Sequence, residues 1–332
     1  HKKKNSGIRI NDSYSQILNQ ALELHSEGNT SKAKKLYQYL IEQGFEDYRV
    51  FANFGLILIS FNKFKEAEFY TRKAIEIDQN IASAHSNLGS ILINLGKIEE
   101  AELSTRKAIA LNPNLAMAHC NLGNILKDLG KLKEAEKSTR KAISLNPNLE
   151  MAYCNLGSIL VDLENLKEAE FSIRKAIYLN PNYAMAYANL GGLLIDLGKL
   201  KEAEFSTRKA IALNPNYAMA YCNLGNILKD LGKLKEAELS TRKAISLNPN
   251  LAMAHCNLGS ILVDIGNLKE AEFSIRKAIS LNPKLARAYV SMSNLEYSKE
   301  DKFLNTLFSP TILNTKVKKN QIDIFFARAN VL

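Results

Sequence analysis

Residues 116–149 read AMAHCNLGNILKDLGKLKEAEKSTRKAISLNPNL, and a shift of 34 residues in either direction lands on a near copy. A fixed period of that length marks a helix–turn–helix array. One unit cannot cover its own apolar face, so it must stack on its neighbours, and the chain grows as a solenoid. Repetition therefore constrains the fold more than length does, although 332 residues would otherwise suggest about two globular domains.

Units begin at Tyr14, Tyr48, Ala82, Ala116, Glu150, Ala184, Ala218 and Ala252. The pattern divides the chain into a disordered basic N-terminus (1–13), eight 34-residue units (14–285), a degenerate ninth unit with a linker (286–321) and the start of a further truncated repeat (322–332). The first unit carries Ala21 where the others have glycine and Phe45 where later ones have proline, as expected of a terminal cap.

Within a unit, His119, Leu122, Leu126 and Leu129 recur at three or four residues, giving the first helix one apolar stripe. Gly130 supplies the left-handed conformation that ends it. The second helix presents Leu132, Ala135, Thr139, Ala142, Ile143 and Leu145. Asn146-Pro147-Asn148 stops it, with Asn148 expected as the N-cap of the next helix. Gly123 and Ala135 are small where the two helices approach.

This sequence resembles the tetratricopeptide repeat, through His119-x2-Leu122-Gly123-x2-Leu126, then Ala135, Ala142 and Pro147. The resemblance covers 14–285 and implies an all-α, right-handed α-solenoid whose first helices line a concave groove. Leu126 stands where the family has tyrosine, and Thr139 (Ile173 in the next unit) where it has an aromatic residue. Units 116–149 and 218–251 differ only at His119/Tyr221 and Lys137/Leu239, which points to duplication of a three-unit block. Near-identical copies argue against a single catalytic constellation within the array.

With 46% apolar and 23% charged residues, the composition is that of an ordinary soluble protein. No apolar run approaches the roughly 20 residues that cross a bilayer, and Asn5, Ser6 and Gly7 follow the basic residues 2–4 where a signal peptide would be apolar. His1 in place of methionine suggests an excised fragment. The net charge of +10 and pI near 9.2 have a diffuse origin: unit 218–251 holds five basic and three acidic residues. Cys120, Cys154, Cys222 and Cys256 share one phase. Equivalent atoms of stacked helices lie about 8–10 Å apart, beyond the ~7 Å that a disulfide spans. They are read as small packing residues in a reducing, cytoplasmic setting.

In this family partners usually bind along the first helices. The sixth position of seven successive units is Asn53, Asn87, Asn121, Asn155, Asn189, Asn223 and Asn257. An amide offers a donor and an acceptor, so it can pair with a peptide backbone without reading side chains. The row resembles the asparagine ladder of O-linked N-acetylglucosamine transferases, which implies an extended peptide ligand; the alternative is a bond within the array. Met117, Met151, Met185, Met219 and Met253 flank it as adaptable contacts or gap fillers. Asp128, Asp162, Asp196, Asp230 and Asp264 close the first helices, where a carboxylate opposes the dipole and calls for a cation in the array or a ligand group.

The Arg-Lys pairs from Arg72/Lys73 to Arg276/Lys277 lie on the second helices, each Arg four residues after a Glu, the favourable order for a helix pair. They read as a solvated convex face or as a nucleic-acid or membrane contact. His85, His119 and His255 share their phase with Tyr153, Tyr187 and Tyr221 and read as packing rings. Metal ligands, cofactors and catalytic residues are not expected: no ligand spacing, phosphate loop or nucleophile elbow is present. The carboxylate clamp that some members use on chaperone tails needs basic groove residues, and this sequence puts Cys, Ala and Met at those phases.

The expected function is a scaffold that binds a protein or extended peptide in the groove, with no nucleic acid and no membrane insertion, as a monomer or by end-to-end self-association. The alternative is the substrate-recruiting half of a fused enzyme whose catalytic domain lies beyond Leu332. The stretch from 293 to QIDIFFARANVL resembles bacterial proteins in which such repeats precede a sulfotransferase domain; an O-GlcNAc-type glycosyltransferase is the other enzyme considered.

Overall fold

A computed structural model describes residues 2–295, 323–325 and 327–328. Among the described residues the secondary structure is helical throughout, and the chain falls into two compact units, His1–Asn155 and Leu156–Leu332. The first holds α1 (Lys2–Ser26), α2 (Thr30–Glu42), α3 (Tyr48–Ser60), α4 (Phe64–Ile77), α5 (Ala82–Asn94), α6 (Ile98–Leu111), α7 (Ala116–Asp128) and α8 (Leu132–Leu145). Helix α9 (Glu150–Asp162) carries the boundary. The second holds α10 (Leu166–Leu179), α11 (Ala184–Asp196), α12 (Leu200–Leu213), α13 (Ala218–Asp230), α14 (Leu234–Leu247), α15 (Ala252–Ile265), α16 (Leu268–Leu281) and α17 (Ala286–Ser293).

Consecutive helices pack in pairs, as α7 with α8 and α13 with α14, and within each unit one pair leans on another, as α6 on α7 and α12 on α13. The pair closes because its crossing is nearly bare. A Cβ added to Gly123 would fall on Thr139 Oγ1 and lie 3.3 Å from Ala135 O. Thr139 is fully buried, and its hydroxyl donates to Ala135 O at 2.8 Å. Ile173 fills the same place opposite Gly157, so the two departures from the family's aromatic residue are alternative plugs for one hole. Ile125 is buried against Leu88, Leu92 and Ala101 of the preceding pair, and Leu126 is buried beside it.

Turns follow from two residues per repeat. Gly130 takes φ 69°, and Lys131 N–H reaches back to Leu126 O at 2.8 Å, the Schellman arrangement. Asn62 and Glu164 hold φ 57° and 61° at the equivalent positions, where a Cβ is sterically disfavoured. Between repeats the expected cap moves. Asn148 is not an N-cap: its backbone N–H donates to Asn146 Oδ1 at 3.0 Å. The N-caps of α7, α13 and α15 are Leu115, Tyr217 and Leu251, without side-chain capping bonds. Asn112, Asn214 and Asn248, three residues before these caps, make the turn instead, accepting from the backbone N–H two residues on, as in an Asx turn.

Both ends depart from the repeat. Helix α1 runs from Lys2 to Ser26. The repeats at the N-terminal end add ring contacts: Phe54 meets Tyr70 edge-on at 4.8 Å, and Tyr14 meets Phe45 at 5.7 Å. At the other end Ile324 and Ala327 are buried with Ala288, Tyr289 and Met292. Phe303, Leu304, Leu307 and Phe308, whose spacing suits a short amphipathic helix, and the basic stretch Lys316–Lys319 lie outside the described residues.

Candidate functional site

The asparagine row is tied to the array. Asn121 Nδ2 donates to Ser86 O at 3.3 Å, Asn223 Nδ2 to Ala188 O at 3.2 Å and Asn257 Nδ2 to Cys222 O at 3.2 Å. Asn155 Nδ2 lies 3.4 Å from Cys120 Sγ. Each reaches the preceding repeat, so the amide N–H links neighbouring first helices. Asn53 turns back on its own helix, to Arg49 O at 2.8 Å. Asn87 is half-buried, and Asn189 has a partner within the protein. Among the described residues, Oδ1 of Asn121, Asn223 and Asn257 makes no bond, which leaves an acceptor on each.

The residues around the row divide by role. Met151 and Met253 pack on the small residues between repeats, beside Cys120 and Cys222 respectively. Met185 is half-buried, while Met117 and Met219 are 37% exposed. Lys229 lies 3.5 Å from Asp264 and 4.0 Å from Asp230, so a cation of the array answers those carboxylates. Asp128, Asp162 and Asp196 also have partners.

In the second unit the row opens into a cavity of about 270 Å³, lined by Gly192, Ile195, Asp196, Asn223, Asn226, Met253, Asn257, Leu285, Arg287 and Asp323. Four of these were expected from sequence: Asp196, Asn223, Met253 and Asn257. Arg287 and Asp323 were not, because both lie past residue 285, where the period fails and phase no longer predicts position. Gly192 could have been noticed. It stands where the other repeats have Leu22, Leu56, Ser90, Asn124, Ser158, Asn226 and Ser260, and a Cβ there would meet only Asn223 Nδ2, at 3.6 Å. Its missing side chain is part of the cavity.

The shared His/Tyr position has a polar duty beyond packing. His119 Nε2 lies 2.9 Å from Pro113 O, and His255 Nε2 2.9 Å from Pro249 O. A carbonyl can only accept, so the ring donates and Nε2 carries the proton. Tyr289 makes the same bond through its hydroxyl, to Pro283 O at 2.9 Å. Histidine and tyrosine interchange here because each has a donor at the right reach. All four cysteines are buried and form no disulfide. Burial pushes the Cys120 and Cys222 thiols up to about 12 and Cys256 to about 11, which makes these three inert as nucleophiles.

The Arg-Lys pairs separate into two fates. Arg208 binds Glu204 on its own helix at 2.8 Å and lies 3.6 Å from Glu236 on the next second helix. Lys233 reaches Glu204 from the following turn at 3.3 Å. Arg72, Glu68, Glu100 and Lys97 repeat the scheme in the first unit. The Arg208 bond, opposed by burial and helped by Lys233, holds the Glu204 carboxyl below its ordinary value. The arginines and glutamates therefore tie repeats together, while the adjoining lysines do not share in the ladder. Among the described residues no cluster of His, Cys, Asp or Glu could hold a metal, and no helix is long and apolar enough to cross a membrane.

Comparison with known proteins agrees with this architecture. Four tetratricopeptide-repeat profiles match: one at 116–149 and 218–251, one at 48–81, 152–183, 184–217 and 252–285, and two more at 89–130 and 70–102. No curated protein matches the chain. Among solved structures, it is similar to the Cut9–Hcn1 hetero-tetramer of APC/C, with a TM-score of 0.70 at 16% identity over 87% of this chain and 59% of that one. PilF of Pseudomonas aeruginosa superposes with a TM-score of 0.52 at 19% identity, over 65% of this chain and 99% of that one. YrrB, described as a TPR protein with an unusual peptide-binding site, gives 0.39 at 28% identity, over 55% of this chain and 95% of that one. The profile matches run almost continuously from residue 48 to residue 285, and the chain belongs to the tetratricopeptide-repeat family.

Proposed function

We propose that this chain is a scaffold that holds an extended polypeptide along its first helices by non-covalent contacts. The observation that carries this reading is the cavity in the second unit, where Asn223, Asn257, Met253 and Asp196 converge with Arg287 and Asp323. It offers amide acceptors for backbone N–H groups, an adaptable apolar wall and charges of both signs, which suits a peptide better than a small apolar ligand. The asparagines serve twice: the N–H holds the array, and Oδ1 meets the ligand. The groove requires no cofactor. Buried thiols of high pKa suit a cytoplasmic setting. Presentation of substrate to a fused sulfotransferase or glycosyltransferase would place the chemistry outside residues 1–332, and it draws no support from the family matches.

The test is a pull-down from source-cell lysate with identification by mass spectrometry. Wild type is compared with Gly192→Leu and with the Asn121→Ala, Asn155→Ala, Asn223→Ala triple variant. Gly192→Leu fills the cavity without breaking a bond, so it separates lost binding from lost stability. Partners that leave with both variants support the groove. Equal retention by all three proteins removes binding from the first helices.

A further inference from the structure

The second helices of the second unit carry an exposed apolar row that the site above does not use. Phe171, Phe205, Leu239 and Phe273 occupy one phase of successive repeats and are 69%, 73%, 71% and 72% exposed. They form one surface, because the ion pairs Arg174–Glu202, Arg208–Glu236 and Arg242–Glu270 bind each second helix to the next. A lysine stands four residues before and four after each of them, as Lys201 and Lys209 flank Phe205. Among the described residues none of these flanking lysines has a carboxylate within ion-pair distance. The carboxylates of this face are engaged by arginines, by the lysines of the turns or by neighbouring amides. The exposed surface is thus apolar bulk bordered by ammonium groups that no carboxylate answers, Lys175 lying over the Tyr178 ring at 4.8 Å.

Its chemistry narrows the occupant. Single-stranded nucleic acid needs an aromatic face at each rung for stacking, and Leu239 cannot supply one. A second copy laid face to face would bring lysine rows against lysine rows. A folded protein demands shape complementarity, whereas Phe and Leu interchange freely along the row. A fluid hydrocarbon asks only for apolar bulk, and anionic headgroups answer the lysines, whose long stems reach outward. We propose that the second-helix face of residues 166–281 docks on an anionic lipid surface, lying on it without spanning it. The first unit has a weaker version, because Lys137 interrupts the corresponding row.

The test is flotation of the full chain with vesicles of phosphatidylcholine alone or with 30% phosphatidylserine, with single-stranded oligo(dT) and polyglutamate as rival ligands. Expected is binding to the anionic vesicles that weakens with salt and falls by about tenfold or more when Phe171, Phe205, Leu239 and Phe273 are all replaced by serine. The helical signal and melting temperature of that variant are measured alongside and should match wild type, since the side chains are exposed. Equal binding to neutral vesicles, undiminished binding by a folded serine variant, or capture of oligo(dT) or polyglutamate but not vesicles would each overturn the proposal. Because the groove is untouched, this test can fail while the groove test succeeds.

Discussion

The first-helix and second-helix faces are equally periodic in sequence, yet the structure uses them in opposite ways. On the first-helix face, Asn121, Asn223 and Asn257 are engaged with the preceding repeat, and Gly123 lies against Thr139. On the second-helix face, the arginines and glutamates are joined in a ladder, while Phe205 and its flanking lysines stand clear of it. A repeated residue type shows that a position is constrained. It does not show whether the constraint comes from the neighbouring repeat or from a partner. A solenoid makes the ambiguity acute, because each internal contact recurs as regularly as a binding site would.

The sharpest break in this contrast is on the first-helix face. Gly225→Leu should lower stability by roughly 3 kcal/mol, because its Cβ would fall on Thr241 Oγ1 and lie 3.2 Å from Ala237 O. Urea denaturation followed by circular dichroism measures this, and an unshifted midpoint would show that the crossing has room. Asn223→Ala removes one inter-repeat bond and should cost about 1 kcal/mol. Gly192→Leu, in the same groove, should be neutral or slightly stabilising, since it replaces a helical glycine without a clash. Equal losses from both would mean that the cavity, like the crossing, is tightly packed.

The ladder lies between these extremes. Glu204→Gln should cost less than about 1 kcal/mol at pH 7, because Arg208 is half-exposed. The sign with pH is set by the depressed carboxyl. Its stabilisation is complete above the unfolded value near 4.5 and is lost as pH falls through the lower folded value. Urea midpoints taken from pH 7 to pH 3 should therefore converge for wild type and variant at the acid end; a constant gap would detach the ladder from stability. Phe205→Ser is likewise expected to stay within about 0.5 kcal/mol of wild type. A larger loss would mean that the exposed row has a structural partner.

Much of the fold was legible because a period read at Gly123, Gly130 and Pro147 applies to every copy. Of the site, the asparagine, methionine and aspartate rows were visible as rows, but not the place where they meet a cavity. Arg287 and Asp323 were out of reach because the pattern that projects position ends before them. The second-helix apolar row was hidden by its neighbours: Arg208-Lys209 drew the eye as a charged pair, and Phe205 beside Glu204 looked like one helix residue among others.

The sequence by itself determined that the chain is a stack of paired helices, since a 34-residue unit with one apolar stripe per helix has no other way to cover that stripe. It also determined where the helices turn, through Gly130 and the Asn146-Pro147-Asn148 stop. Tertiary structure alone decided which polar groups are engaged and which remain available. That Asn223 donates to Ala188, that His119 holds Pro113, and that arginine and lysine of one pair part company are facts of distance between neighbouring repeats. Distances between repeats depend on how the helices lean on one another, and no residue type encodes that lean locally.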